Sequence, residues 1–133
     1  MENKDIMNLL HAKYGIYIRG AHIVEMIMNG SKVIETRTHD KLKRFVGQWV
    51  GIIHTGSGKP KLVGYVFIRS QYEFISEENF RAYEFCHRIP KGSKYDWKDG
   101  KKKYGYLLGE IVKLDSPIEL ESVKGNRMWR ELE

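Results

Sequence analysis

Leu62-Val63-Gly64-Tyr65-Val66-Phe67-Ile68 carries no charge and sets bulky groups on both of its sides, Leu62, Val66 and Ile68 on one, Val63, Tyr65 and Phe67 on the other. Such a strand is covered on both faces, as a barrel wall is when a helix packs outside it. Gly64, lacking a side chain, lets that helix or a ligand come close. Upstream, Trp49 to His54 is a second β-rich run. The connection between the two, Thr55-Gly56-Ser57-Gly58-Lys59-Pro60-Lys61, is rich in turn formers and reads as a hairpin.

Toward the N-terminus, Val33 to Arg37 alternates Val, Glu and Arg against Ile and Thr, a short strand. It follows a helix begun at Ala21, whose Ile23, Met26 and Ile27 make an apolar stripe stopped at Asn29-Gly30. Ile16 to Arg19 reads as another strand. A first helix opens at Asn3 or Asp5, carries Met7, Leu10 and Tyr14 at helical spacing, and ends at Gly15. Toward the C-terminus, Ser76 with Glu77 and Glu78 starts a helix in which Phe80, Tyr83 and His87 recur, and Pro90 ends it. Tyr104 to Leu114 is a long strand and Ile118 to Val123 a short last one, with Trp129 and Leu132 plugging the core. The expected fold class is α+β, a small mainly antiparallel β-barrel with about three flanking helices.

A length of 133 residues argues for one domain, and about two thirds of the unfolded surface can be buried at that size. With 41% hydrophobic and 30% charged residues the composition is globular. No stretch approaches 18 apolar residues, and the start Met-Glu-Asn-Lys-Asp lacks a signal-peptide pattern, so a cytoplasmic protein without membrane contact is expected. No long apolar stripe is left unassigned, which predicts a monomer or weak dimer. The single cysteine, Cys86, excludes an internal disulfide and the multi-cysteine zinc patterns.

The net charge of +6 is unevenly placed. Arg37 to Lys61 holds six cations against Asp40 alone, and Lys91 to Lys103 six lysines against Asp96 and Asp99, while the rest of the chain is net negative. Both segments read as loops with aromatics beside them, Trp97 amid the lysines of the second. That pairing suits a phosphate backbone with stacked bases, and equally a solvated lysine-rich loop.

Gly56-Ser57-Gly58-Lys59 is not a phosphate loop, because Pro60 stands where a Ser or Thr should bind magnesium. His11, His22, His39, His54 and His87 show no metal-ligand spacing, so no metal or other cofactor is expected. Cys86 and His87 are adjacent on a helix and point about 100° apart, which suits a structural cysteine better than a nucleophile and base.

Gly30-Ser31-Lys32-Val33-Ile34-Glu35-Thr36-Arg37 is the remaining cluster. It sets Lys32, Glu35 and Arg37 across a helix end and the strand after it, with Glu35 and Arg37 on one face. A lysine and an arginine beside a carboxylate can bind a phosphate or base edge or support proton transfer; an exposed ion pair of small energetic value is the plainer alternative.

The octapeptide resembles the G-x-K-x-x-E-x-R motif of the ASCH family, small PUA-like β-barrel domains associated with RNA. Val46-Gly47-Gln48-Trp49 into Ile52-Ile53-His54 is similar to the family's glycine turn and following strand, and Leu62 to Val66 to its next strand. Tyr104 to Leu108, Pro117-Ile118 and Gly125 to Trp129 resemble its closing strands and terminal aromatic, so the similarity spans about residues 15 to 132. The resemblance implies one PUA-like domain over residues 1–133, with an N-terminal helix over 1–14 and the barrel with its helices over 15–132. It also implies that Lys32, Glu35 and Arg37 line a cleft between barrel and helices.

One branch of the family removes acyl groups from N-acetylated cytidine, using the motif lysine, a threonine three residues later and a further glutamate. Here Glu35 replaces that threonine, Thr36 points to the opposite face, and Glu77, Glu78 and Glu84 are all candidates for the acid. Some relatives are described as ribonucleases, a reaction that would need a base such as His54 with Lys32.

The reading preferred from the sequence is a binding module for RNA or a nucleotide. Its cleft is bordered by Lys32, Glu35 and Arg37, by His54 and Thr55 on the neighbouring strand and by Tyr104 and Tyr106 opposite, with Trp97, Lys101, Lys102 and Lys103 as further contacts. The alternatives are a small metal-independent hydrolase with Lys32 and Glu35 as its catalytic pair, and a basic protein-interaction domain for which Lys32 is dispensable.

Overall fold

The computed structural model describes residues 6, 9–125 and 127–132. One curled sheet of six strands has the order β2-β5-β4-β3-β1-β6. The strands are β1 Tyr14–Arg19, β2 Ile34–Arg37, β3 Gln48–Thr55, β4 Lys61–Phe74, β5 Lys103–Glu119 and β6 Trp129–Glu131. All neighbours are antiparallel except β1 and β3, which run parallel with Gly15 against Gly51. Helices α1 Ala21–Met28, α2 Glu77–Ala82 and α3 Glu84–His87 accompany the sheet among the described residues, with a 3-10 turn at Lys41–Phe45. The α+β architecture expected from the sequence is present as a half-barrel with β2 and β6 at its edges. No described helix is long and apolar enough to cross a membrane.

β4 is covered on both faces. Val66 and Ile68 are fully buried in one cluster with Ile16, Val50 and Ile52, while Tyr65 lies in a second with Ile53 and Leu114. Leu62 departs from the sequence pattern by joining Tyr65, and Val63 packs with Val66 instead. The cause is a bulge: Ile52 pairs with Gly64 but Ile53 with Leu62, so Val63 is an extra residue that reverses the alternation. The other end of β4 carries a third cluster, Ile34, Phe74, Phe80 and Ile89, which seats α2 and α3.

α1 lies against the sheet at Gly64, where a Cβ would meet Val112 O at 2.6 Å and Met28 Sδ at 2.7 Å. Only glycine fits that approach. Gly64→Val is expected to cost about 2 to 3 kcal/mol through overpacking, read as a shifted urea midpoint; an unchanged midpoint would mean that α1 can retreat freely.

Several boundaries differ from the sequence reading, and β4 itself runs on past Ile68 to Phe74. Tyr14 and Gly15 are strand residues, recruited by pairing with Glu131 and Arg130 on one side and, for Gly15, Gly51 on the other, so the first helix stops before them. Asn3, Asp5 and Met7 lie outside the described residues. The helix from Ser76 divides at Tyr83, which caps α2 and precedes α3, and it ends at Arg88 in a left-handed conformation (φ 60°, ψ 30°), before Pro90. Ile118 belongs to the end of β5, paired with Leu62, and the last strand is instead β6, where Trp129 packs edge-on against Phe45 at 5.4 Å. Local pattern cannot specify the strand ends, because each is set by pairing with a strand distant in sequence.

Candidate anion-binding site

Gly30 (φ 83°) turns the chain out of α1, and Ser31 N donates to Asn29 Oδ1 at 2.8 Å. The next residues are fastened to α3 by three bonds. Lys32 Nζ donates to His87 O at 2.5 Å, Val33 N to Cys86 O at 2.9 Å, and Arg88 Nε to Ser31 O at 2.9 Å. The carbonyls at the end of a helix have no partner within it, which makes them acceptors for a cation and for an incoming strand. The His87 ring is held as well: Nδ1 accepts from Ile89 N and Nε2 lies 2.8 Å from Phe80 O, while the ring stacks on Phe80 at 4.0 Å. Burial lowers its pKa, consistent with a neutral ring carrying its proton on Nε2.

Lys32 is 3% exposed, and burial pushes its ammonium below the ordinary lysine pKa while nearby Glu35 pulls it back up. Glu35 sits 3.9 Å from Lys32 Nζ and 3.0 Å from Arg37 Nε. Arg37 also reaches β1, where its Nη2 donates to Tyr17 O at 2.8 Å, so one side chain links β2 to a strand that is not its ladder neighbour. Tyr106 and Tyr104 stand opposite Glu35 and Arg37 on β5, hence on the same face.

Lys32, Glu35 and Arg37 open onto a cavity of about 610 Å³, a size suited to a small ligand. Arg19, Lys32 and Arg37 from the early chain and Arg88, Lys94, Lys103 and Arg127 from the later chain line it, against one carboxylate, Glu35. Ile18, Ile23, Met26 and Ile89 supply apolar wall, and Tyr17 and Tyr95 aromatic edges. Lys103 Nζ donates to Tyr95 O at 2.8 Å. Burial first, then repulsion from Lys98, brings its pKa down to about 8. A cavity with this excess of fixed positive charge favours an anion, and its apolar portion favours one with a flat, weakly polar part.

No family model and no curated protein matches the sequence. The structure does find counterparts. The crystal structure of ASCH from Zymomonas mobilis superposes with a TM-score of 0.69 at 16% identity, covering 90% of this chain and 87% of that one. A single-residue variant of the same protein gives 0.73 at 16% identity, covering 90% and 89%. The chain has the ASCH fold.

Within this ASCH barrel the residues singled out in the sequence separate into three groups. Lys32, Glu35, Arg37, Thr55 and Lys103 meet at the cavity. Tyr104 and Tyr106 are buried in the core beside Glu35 and Arg37 and do not form an opposite wall; Tyr106 is fully buried, donates its hydroxyl to His39 O at 3.1 Å, and has its pKa raised to about 12, chiefly by that burial. His54, Trp97, Lys101 and Lys102 are not among the lining residues. His54 faces away because it neighbours Thr55 on a strand, whose side chains alternate. Trp97 rests 6.1 Å from Phe80 and donates Nε1 to Asp99, and Lys101 and Lys102 extend into solvent. Glu77, Glu78 and Glu84 are also absent from the lining, Glu84 being paired with Arg81 at 2.5 Å.

Arg19, His22, His39, Arg88, Lys94 and Arg127 also line the cavity; Lys94 belongs to the lysine-rich loop flagged by charge, and no local signal marks Arg19, His22, Arg88 or Arg127. Only His39, two residues beyond Arg37 on the far side of the strand's end, is placed by proximity in sequence to the motif. Among the described residues no group of three His, Cys, Asp or Glu side chains could hold a metal ion.

Proposed function

We propose that residues 1–133 act as one ASCH-like unit, a monomer or weak dimer, that binds the phosphate of a nucleotide or of single-stranded RNA in the cavity above Lys32, Glu35 and Arg37. One observation carries this reading: seven lysine or arginine side chains against a single carboxylate, around a volume that also has apolar and tyrosine surface. Lys and Arg donors matched to phosphate oxygens supply affinity, and the tyrosines suit a base.

Binding is favoured over hydrolysis by what surrounds the candidate catalytic groups. Glu35 is already engaged by Arg37 and Lys32. His54, the base named from the sequence, is not among the cavity-lining residues, and His39, which is, accepts from Lys41 N at Nδ1, so that its neutral ring, carrying the hydrogen on the other nitrogen, has no free lone pair with which to act as a base.

The test is direct titration of the full chain with inorganic phosphate, adenosine monophosphate and a labelled RNA single strand across a salt series. If four to six cations contact phosphates, log affinity for the strand falls with log salt at a slope of roughly −3 to −4. Lack of binding to all three, or salt-independent affinity, removes the reading. Incubation of the same protein with RNA and with acylated nucleosides, followed by mass spectrometry, decides for the hydrolase if turnover appears and vanishes in Glu35→Gln.

A further inference from the structure

Phe85 is 79% exposed, and Arg88 holds its guanidinium carbon 4.3 Å from the ring centroid. Isolated exposed aromatics are ordinary on protein surfaces. Phe85 differs because the group stacked on it also lines the anion cavity. Arg88 takes up a left-handed backbone, which costs a non-glycine residue on the order of 1 kcal/mol and persists where the surroundings over-determine it. Here they do: Ser31 O receives Arg88 Nε, while Cys86 O and His87 O, from the two residues between Phe85 and Arg88, hold Val33 N and Lys32 Nζ. The aromatic ring, the guanidinium and the motif segment are thereby fixed to one another before any ligand arrives.

We infer that Phe85 and Arg88 form a stacking platform at the cavity rim for the base adjoining the nucleotide held inside, so that the ligand is a strand of two or more nucleotides and not a free mononucleotide. The inference rests on the phosphate-binding reading of the cavity. Arg88 covers one face of the ring and leaves the other open to a base, and its outer nitrogens remain available to the linking phosphate. Stacking of this kind is indifferent to base identity, since every base has a π-face. An apolar protein partner would use the same ring but would have no need of Arg88 facing an anion site.

The experiment compares inorganic phosphate, adenosine monophosphate and a 5′-phosphorylated adenosine dinucleotide on the full chain, in wild type, Phe85→Ala and Phe85→Tyr. The dinucleotide is expected to bind wild type about tenfold or more tighter than the monophosphate. Phe85→Ala should abolish that advantage without altering the other two affinities, and Phe85→Tyr should retain it. Equal affinity of wild type for mono- and dinucleotide, an advantage that survives Phe85→Ala, or a loss shared by all three ligands overturns the platform and leaves the cavity reading standing. Failure of all three to bind wild type removes both.

Discussion

Lys32→Ala lowers stability by about 3 kcal/mol, a fall in Tm of roughly 10 °C for a chain of this size. As a sequence, Lys32 beside Glu35 suggests a solvated lysine whose loss would leave the melting point nearly unchanged. The fold buries it, and its ammonium satisfies the His87 carbonyl and neighbours Glu35. Truncation removes the donor from a buried carbonyl and one of the two cations next to a nearly buried carboxylate. The expected value lies at the low end for a broken buried pair, because Arg37 remains 3.0 Å from Glu35. Lys32→Met should recover part of the loss, since it keeps the aliphatic stem and removes a charge that is costly to bury. A Tm within a degree or two of wild type for Lys32→Ala would show that the clamp between α3 and the motif carries no stability.

Lys103→Met weakens phosphate and nucleotide binding by about 10- to 100-fold, the range for losing one charge-assisted contact, without lowering the melting point. The two effects separate because burial and the neighbouring Lys98 disfavour the Lys103 ammonium and offset its bond to Tyr95 O, while the same ammonium is a donor at the cavity wall. Its pKa of about 8 gives the result a pH signature. Wild-type affinity is fully present below pH 7 and declines as the ammonium loses its proton through about 8. A bound phosphate favours the charged form and moves that decline upward. The second ionisation of a phosphate monoester such as adenosine monophosphate lies near 6, below this window, so with that ligand the decline reports the protein. Lys103→Met should remove it. Calorimetric titrations from pH 6.5 to 9.5 test this, and a flat wild-type profile would place Lys103 outside the binding set.

Much of the barrel is legible in the sequence where the signal is local. The charge-free run at Leu62 to Ile68 marks the doubly covered strand, and Asn29-Gly30 marks the end of α1. What escapes is set at long range. The Val63 bulge arises from the registers of β3 and β5 against β4, and Tyr14 becomes a strand residue through pairing with β6. The site follows the same rule. Lys32, Glu35 and Arg37 stand out by residue type, but the burial of Lys32 depends on α3, whose His87 carbonyl meets it from 55 residues away. In the run Lys101-Lys102-Lys103 only the last turns inward, because β5 begins there and strand alternation fixes its direction. Arg88 and Arg127 reach the cavity through tertiary structure alone.

The link from Arg37 to Tyr17 and the clamp from Lys32 to His87 also bear on how such a chain changes over generations. Both side chains hold the architecture whether or not the cavity is filled, so selection for a folded product retains them even when the ligand changes. Among the described residues Lys94 and Arg127 bond to carbonyls or rings near them in sequence, and little else depends on them. Divergence in what the cavity accepts is therefore channelled to its rim, while the octapeptide is inherited as part of the frame.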